Sequence, residues 1–178
     1  YHHQVDPYDN FGMSNEEMKS TMIECSVPET SITLSHIKIL QDIVDNDIDC
    51  ALIMEDDVFI KYNFAKRFKS IMEEQLPKDF DILYISSLPA RKGFTWDPHS
   101  KDLLRLYNGV WWMSGIIVTK KAAQKMLDNL PVVGPIDVWI NYQFDDMNVY
   151  MCEENLVEQR IDYESSNTYS FVELYESE

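Results

Sequence analysis

The chain has 178 residues, 45% of them hydrophobic and 12% aromatic, enough for one packed domain that needs neither a metal nor disulfides to fold. Lys and Arg number 15 against 31 Asp and Glu, a formal charge of −16. That balance disfavours nucleic acid and anionic membrane as partners, both being polyanions, and leaves metal cations and neutral or cationic ligands open.

No run of about 18 apolar residues exists to span a bilayer. The start, Tyr1-His2-His3-Gln4, lacks the basic and apolar regions of a signal peptide. Residues 1–33 read as an irregular amino-terminal arm, polar and acidic, with Pro7, Gly12 and Pro28. Within it Ser14-Asn15-Glu16-Glu17 has capping-box spacing and predicts a short helix through Ile23. Residues 34–178 read as an α/β domain with no internal boundary. Its first helix is predicted over Thr33 to Val44, where Leu34, Ile37, Leu40, Ile43 and Val44 recur at helical spacing. Cys50 to Met54 is a continuous apolar run, too short for a buried helix. It predicts a strand covered on both faces, with Cys50 as a small buried hydrophobe.

Phe64 to Leu76 is amphipathic and predicts a helix stopped by Pro77. Asp81 to Ser86 predicts a second buried strand, and residues 87–102 a polar loop. Leu103 to Tyr107 and Val110 to Thr119 predict two strands, joined at Asn108-Gly109 by a dipeptide that favours a hairpin. Lys120 to Leu130 and Ile136 to Phe144 predict helices, the latter with Pro135 just ahead of it. Met147 to Cys152 predicts a last strand, and an acidic tail follows Tyr163. Helices alternating with strands imply a mixed sheet flanked by helices. Cys25, Cys50 and Cys152 fit neither a disulfide framework nor a zinc spacing, which leans toward a reducing, cytoplasmic compartment.

The most informative feature is Glu55-Asp56-Asp57 at the carboxyl end of an apolar strand, where open α/β sheets place their ligands. Adjacent carboxylates repel one another, and a hard divalent cation with oxygen ligands relieves that repulsion. In an extended chain Glu55 and Asp57 face one side and Asp56 the other. The alternative is an acidic loop that only solubilises a strand end. Trp111 and Trp112 would face opposite sides of their strand, so one packs in the core and the other either packs or offers a flat apolar face for stacking.

Ser35-His36, an apolar helix, and the strand Ala51-Leu52-Ile53-Met54 running into Glu55-Asp56-Asp57-Val58 resemble glycosyltransferase family 25, which includes lipooligosaccharide and collagen galactosyltransferases. Four further segments are similar, in order: Leu76 to Tyr84, Gly115 to Ala123, Pro135-Ile136-Asp137, and Val149 to Gln159 with its Leu156-Val157-Glu158-Gln159. The resemblance implies a GT-A-like fold, a UDP-sugar donor, Mn²⁺, and transfer of galactose or glucose to a glycan or protein hydroxyl. It implies Asp57 as metal ligand with Glu55 or Asp56 assisting. A base is needed to take the acceptor proton. The candidate is Asp137, whose alternative role is a helix cap; Glu158 is a weaker choice. Ser35 and His36 fall in the donor-side motif, where His36 would meet donor phosphate or, alternatively, be satisfied by backbone. Gly115 leaves room for close approach of a ligand. Arg91 and Lys92 would contact diphosphate or simply be solvated loop charges. The family's amino-terminal nucleotide-binding strand has no counterpart before Ser35. That departure motivates a second expectation, a glycosyltransferase-like binding or assembly module without activity. A metal-dependent phosphotransferase or nuclease is disfavoured by the absence of a Gly-rich phosphate loop.

Overall fold

A computed structural model describes residues 25–89 and 94–160 of the chain. The arm before Cys25, its short helix, Arg91, Lys92 and the acidic tail lie outside the described residues. The first helix, α1 (Val27–Asp45), begins earlier than hydrophobic periodicity predicts. The cause is a capping box. Ser26 Oγ accepts the Glu29 N–H at 3.3 Å, and Glu29 Oε2 accepts the Ser26 N–H at 2.7 Å. Pro28 sits in the first turn, where its missing donor is no loss. Those polar residues start the helix before any apolar repeat is visible.

The remaining elements are β1 (Cys50–Met54), β2 (Val58–Ile60), α2 (Phe64–Ser70) continued by a π turn (Ile71–Gln75), β3 (Ile82–Pro89), β4 (Thr95–Pro98), β5 (Leu103–Asn108), β6 (Val110–Thr119), α3 (Lys120–Asp128), α4 (Ile136–Asn141), a 3₁₀ turn (Phe144–Asp146), β7 (Val149–Cys152) and β8 (Val157–Gln159). Six strands form one mixed sheet in the order β1-β6-β3-β7-β5-β4, and β2 pairs with β8 in a separate two-stranded ribbon. Strands β3 and β7 are parallel; the other pairs are antiparallel.

Alternation along β3 divides the core. Ile82 and Tyr84 face a large cluster under α1, α3 and α4, with Leu40, Ile43, Ile116, Val118, Met126 and Trp139. Leu83 and Ile85 face a smaller one with Ile71, Ile117, Cys152, Leu156 and Val157. Each aliphatic side chain buried this way contributes about 1.5–3 kcal/mol. Phe64 and Phe68 stack at 5.3 Å over the second cluster.

Four expectations are corrected. Strand β1 is at the sheet edge and is covered on one face only: Ile53 is buried, while Cys50, Leu52 and Met54 are exposed. A continuous apolar run does not distinguish an edge strand from a central one. The loop over 87–102 contains β4, and a further strand, β8, follows β7. Finally, Asn108-Gly109 is not a hairpin. The pairing senses make β5 and β6 run in the same direction, with β3 and β7 between them. The buried Asn141 side chain explains this. Its Oδ1 accepts the N–H groups of Gly109 and Val110 at 3.0 and 3.1 Å, and its Nδ2 donates to Val110 O at 2.7 Å. The backbone groups that a hairpin would pair are taken by a helix side chain, and Gly109 (φ 86°) makes the bend.

Candidate functional site

The carboxyl ends of β1 and β3 and the start of β6 lie together, because Met54 and Ser86 both pair with Gly115. Residues 55–57 form a turn and not an extended segment, so simple alternation does not govern their carboxylates. Asp56 is exposed, while Glu55 and Asp57 are half-buried. The Glu55 N–H donates to Ser114 O at 3.3 Å. Burial raises the Glu55 pKa above its ordinary value, and the charges of Asp57, Asp137 and Asp56 push the same way. Ser114 Oγ is near enough to ease that shift without a hydrogen bond of good geometry.

Asp57 is held from the opposite side by the β2–β8 ribbon. Its Oδ2 accepts from Gln159 Nε2 at 2.7 Å, and its backbone oxygen accepts the Arg160 N–H at 2.8 Å. Its Oδ1 is buried with no hydrogen-bond partner among the described residues. An oriented carboxylate oxygen left without a donor fits a cation better than it fits a neutral loop. Glu55, Asp56 and Asp57 supply only oxygen donors, the right chemistry for a hard divalent ion. Among the described residues no three carboxylates, histidines or cysteines converge closely enough to hold a metal unaided. The residues therefore fit an ion held by one or two protein carboxylates and completed by ligand oxygens.

Asp137 stands in the first turn of α4, one residue after Ile136 and two after Pro135 at the cap position, and its carboxylate takes one of that turn's N–H donors. Its Oδ1 accepts the Val138 N–H at 2.9 Å, and its Oδ2 accepts the Trp112 N–H at 3.4 Å. Burial raises its pKa, the backbone donors oppose the rise, and the Glu29 charge adds to it. Tyr84, fully buried, is pushed up by burial and by the Asp137 charge, and its hydroxyl has no partner among the described residues. Burial and the charges of Glu29 and Asp137 also raise the Cys25 thiol.

The structure thus brings together Glu55, Asp57 and Asp137 and does not bring in the other candidates. Ser35 is exposed, and its Oγ donates to Ser31 O at 2.9 Å within its own helix. His36 is buried, and burial pushes its imidazole below the ordinary value. It lies two turns beyond Glu29 on α1, a rise of about 10 Å. Glu158 forms an ion pair with Lys61 on the β2–β8 ribbon. Gly115 makes a close approach, but to the protein itself. A Cβ there would meet Val157 Cγ2 at 2.8 Å and Ile85 Cγ1 at 2.9 Å, so the missing side chain admits β8 and not a ligand. Sequence reasoning missed Glu29, Tyr84 and Asn141. For Glu29 a signal existed in the Ser26-x-x-Glu29 capping spacing. Gln159, which orients Asp57, stood in the Leu156 to Gln159 segment without a role.

The model of glycosyltransferase family 25 (LPS biosynthesis protein) matches residues 8–147. The chain belongs to this family. Among curated relatives, procollagen galactosyltransferase 1 of Danio rerio is 27% identical over 126 residues, covering 66% of this chain and 20% of the relative. Procollagen galactosyltransferase 2 of Homo sapiens is 24% identical over the same span and shares. The chain therefore spans about a fifth of the length of the relatives it matches. The six-stranded mixed sheet flanked by helices agrees with the GT-A-like architecture the family 25 motifs imply. No described helix is long and apolar enough to cross a membrane, which assigns the family 25 chain to no compartment.

Proposed function

We propose that this chain carries the acidic centre of a hexosyltransferase that moves galactose, or glucose, from a UDP-sugar to a hydroxyl of a glycan or protein, with Mn²⁺ and with inversion. The observation that supports it most is the set Glu55, Asp57 and Asp137 at the strand ends of a family 25 chain, with no lysine or arginine paired to any of them among the described residues. The names of the relatives favour galactose.

Asp57 would hold the ion through Oδ1, with Glu55 or Asp56 assisting and diphosphate oxygens completing the shell, as is common for hard cations. Bound there, Mn²⁺ supplies the positive charge that lets a diphosphate leave. Gln159 and the Arg160 backbone fix Asp57 in place, so little reorganisation accompanies binding. Asp137 serves as the base. Burial lifts its proton affinity above that of an ordinary aspartate, which suits it to draw the proton from the acceptor hydroxyl as that oxygen bonds to the anomeric carbon. The two backbone donors hold its carboxylate in one orientation. His36 stays a donor-side contact on the strength of the motif alone.

The test is calorimetric titration of UDP into the chain with and without Mn²⁺, paired with turnover of UDP-galactose on glycan and collagen-like acceptors. The wild type should bind UDP in a metal-dependent manner, and Asp57→Asn should lose both binding and turnover. Unchanged turnover in Asp57→Asn overturns the metal assignment. Release of phosphate with no sugar on any acceptor overturns the transferase.

A further inference from the structure

Trp111 and Trp112 stand side by side at the start of β6, where regular alternation would send them to opposite faces. They do not separate. Trp111 belongs to the buried cluster on the helix face, and Trp112, half-buried, packs against the same cluster. The backbone explains why. Trp112 has φ 64°, the left-handed region in which a bulky residue is a true outlier. The pairing of β3 with β6 steps from Ser86↔Gly115 to Leu88↔Trp111. Residues 112–114 of β6 therefore stand opposite the single residue Ser87 of β3. Bulges of this kind re-aim side chains and recur beside active sites.

Both ends of the bulge are tied to the candidate site. The Trp112 N–H donates to Asp137 Oδ2 at 3.4 Å, and Ser114 O accepts the Glu55 N–H at 3.3 Å. A tryptophan needed only for packing does not require a strained backbone, as Trp111 shows from the next position. Strain of this sort persists where the surroundings impose it and where it serves a function.

We propose that the bulge presents the Trp112 indole as a stacking wall for a hexopyranose ring at the Glu55–Asp137 site, a role that rests on the sugar-transferring function proposed above. The C–H face of a pyranose is apolar and flat enough to lie on an indole, while its hydroxyls reach the neighbouring carboxylates. The ring belongs either to the donor or to the acceptor, and the two are told apart by experiment.

The full chain is labelled with fluorotryptophan, and the Trp112 fluorine signal is assigned among the four tryptophans with Trp112→Phe. It is titrated with methyl galactoside, with UDP-galactose and with UDP, all with Mn²⁺. The Trp112 signal should shift saturably with methyl galactoside if the ring is the acceptor's, or with UDP-galactose but not UDP if it is the donor's. Trp112→Ala and Trp112→Gly should raise KM for that sugar on the order of tenfold, with kcat changed less. Glycine accepts the left-handed backbone, so Trp112→Gly separates the indole from the strain. A Trp112 signal that no sugar moves overturns the proposal, as does an equal shift with UDP alone, or a KM in Trp112→Gly equal to that of the wild type. A galactoside-dependent shift in a chain that transfers no sugar leaves the stacking wall standing and overturns the transferase instead.

Discussion

Two aspartates, Asp81 buried and Asp137 half-buried, sit at opposite ends of the same sheet and are treated in opposite ways. Asp81, at the amino end of β3, is 1% exposed; Lys121 Nζ approaches its Oδ1 at 3.1 Å and Lys125 Nζ its Oδ2 at 3.6 Å. The Asn148 N–H also donates to Oδ2 at 2.8 Å. Asp137, at the carboxyl end, has only backbone N–H donors among the described residues, and its electrostatic neighbours there are the carboxylates of Glu29 and Glu55. One end of the sheet neutralises its acid with cations from α3. The other gathers acids and leaves them without counter-charge among the described residues. Uncompensated buried charge lowers stability, so the carboxyl end is the one shaped for a proton or a cation to join.

The sharpest way to break this contrast is Asp137→Asn. Turnover should fall on the order of 10²–10⁴-fold, the usual contribution of a positioned base. Its thermal stability should change by no more than about 1 kcal/mol, since no ion pair is lost. An active Asp137→Asn would make the two aspartates equivalent. The mirror experiment is Asp81→Ala, which strands the Asn148 N–H and the two lysines; it should lose about 2–3 kcal/mol in a denaturant melt while turnover per folded molecule is retained. Between these lies Gly115→Ala. Its methyl would press on Val157 and Ile85, destabilising by about 1–3 kcal/mol. The displacement of β8 should also weaken the Gln159 hold on Asp57, read as weaker Mn²⁺-dependent UDP binding in calorimetry.

The smallest effect is a pH slope. Glu55 and Asp137 both have raised folded pKa values. Below the ordinary carboxylate value both states hold these protons and nothing is lost. As pH rises from there toward the raised values, the unfolded chain releases protons that the folded chain keeps, so stability falls through that window. Glu55→Gln should flatten this part of a melting-temperature profile; an unchanged slope would mean that folding leaves the Glu55 carboxyl unshifted, by burial or by its acidic neighbours.

What the sequence made legible follows the reach of each signal. Hydrophobic periodicity placed α1, which buries one face, and continuous apolar runs placed β1 and β3, although only β3 is buried on both faces. Periodicity missed the first turns of α1, where Ser26, Pro28 and Glu29 act through capping. It also misjudged Asn108-Gly109, since a turn dipeptide bends the chain but cannot say which strand lies next to it; Asn141, distant in sequence, decides that. At the site, the acidic strand end and Asp137 were visible as residue types in order. The carboxylate directions were not, because residues 55–57 turn and residues 112–114 bulge, and period-two reasoning holds only for regular strands. Gly115 was misread for a related reason: a glycine announces an approach, but not what approaches.

The insertion of β7 between β3 and β5 has a consequence for how the chain is made. Strand β1 pairs with residues near 119, and β3 pairs with residues near 150. Among the described strands only the β4–β5 pair is local in sequence. A chain emerging from the ribosome can therefore join β1, β3 and β6 once Thr119 is out, but β4 and β5 have no edge to dock on until Val149 to Cys152 follow. Closure of such long-range pairings is slow. Strand β7, made after the other five strands of the sheet, is thus the wedge that locks its two halves, and chains cut short of it should be the ones that aggregate.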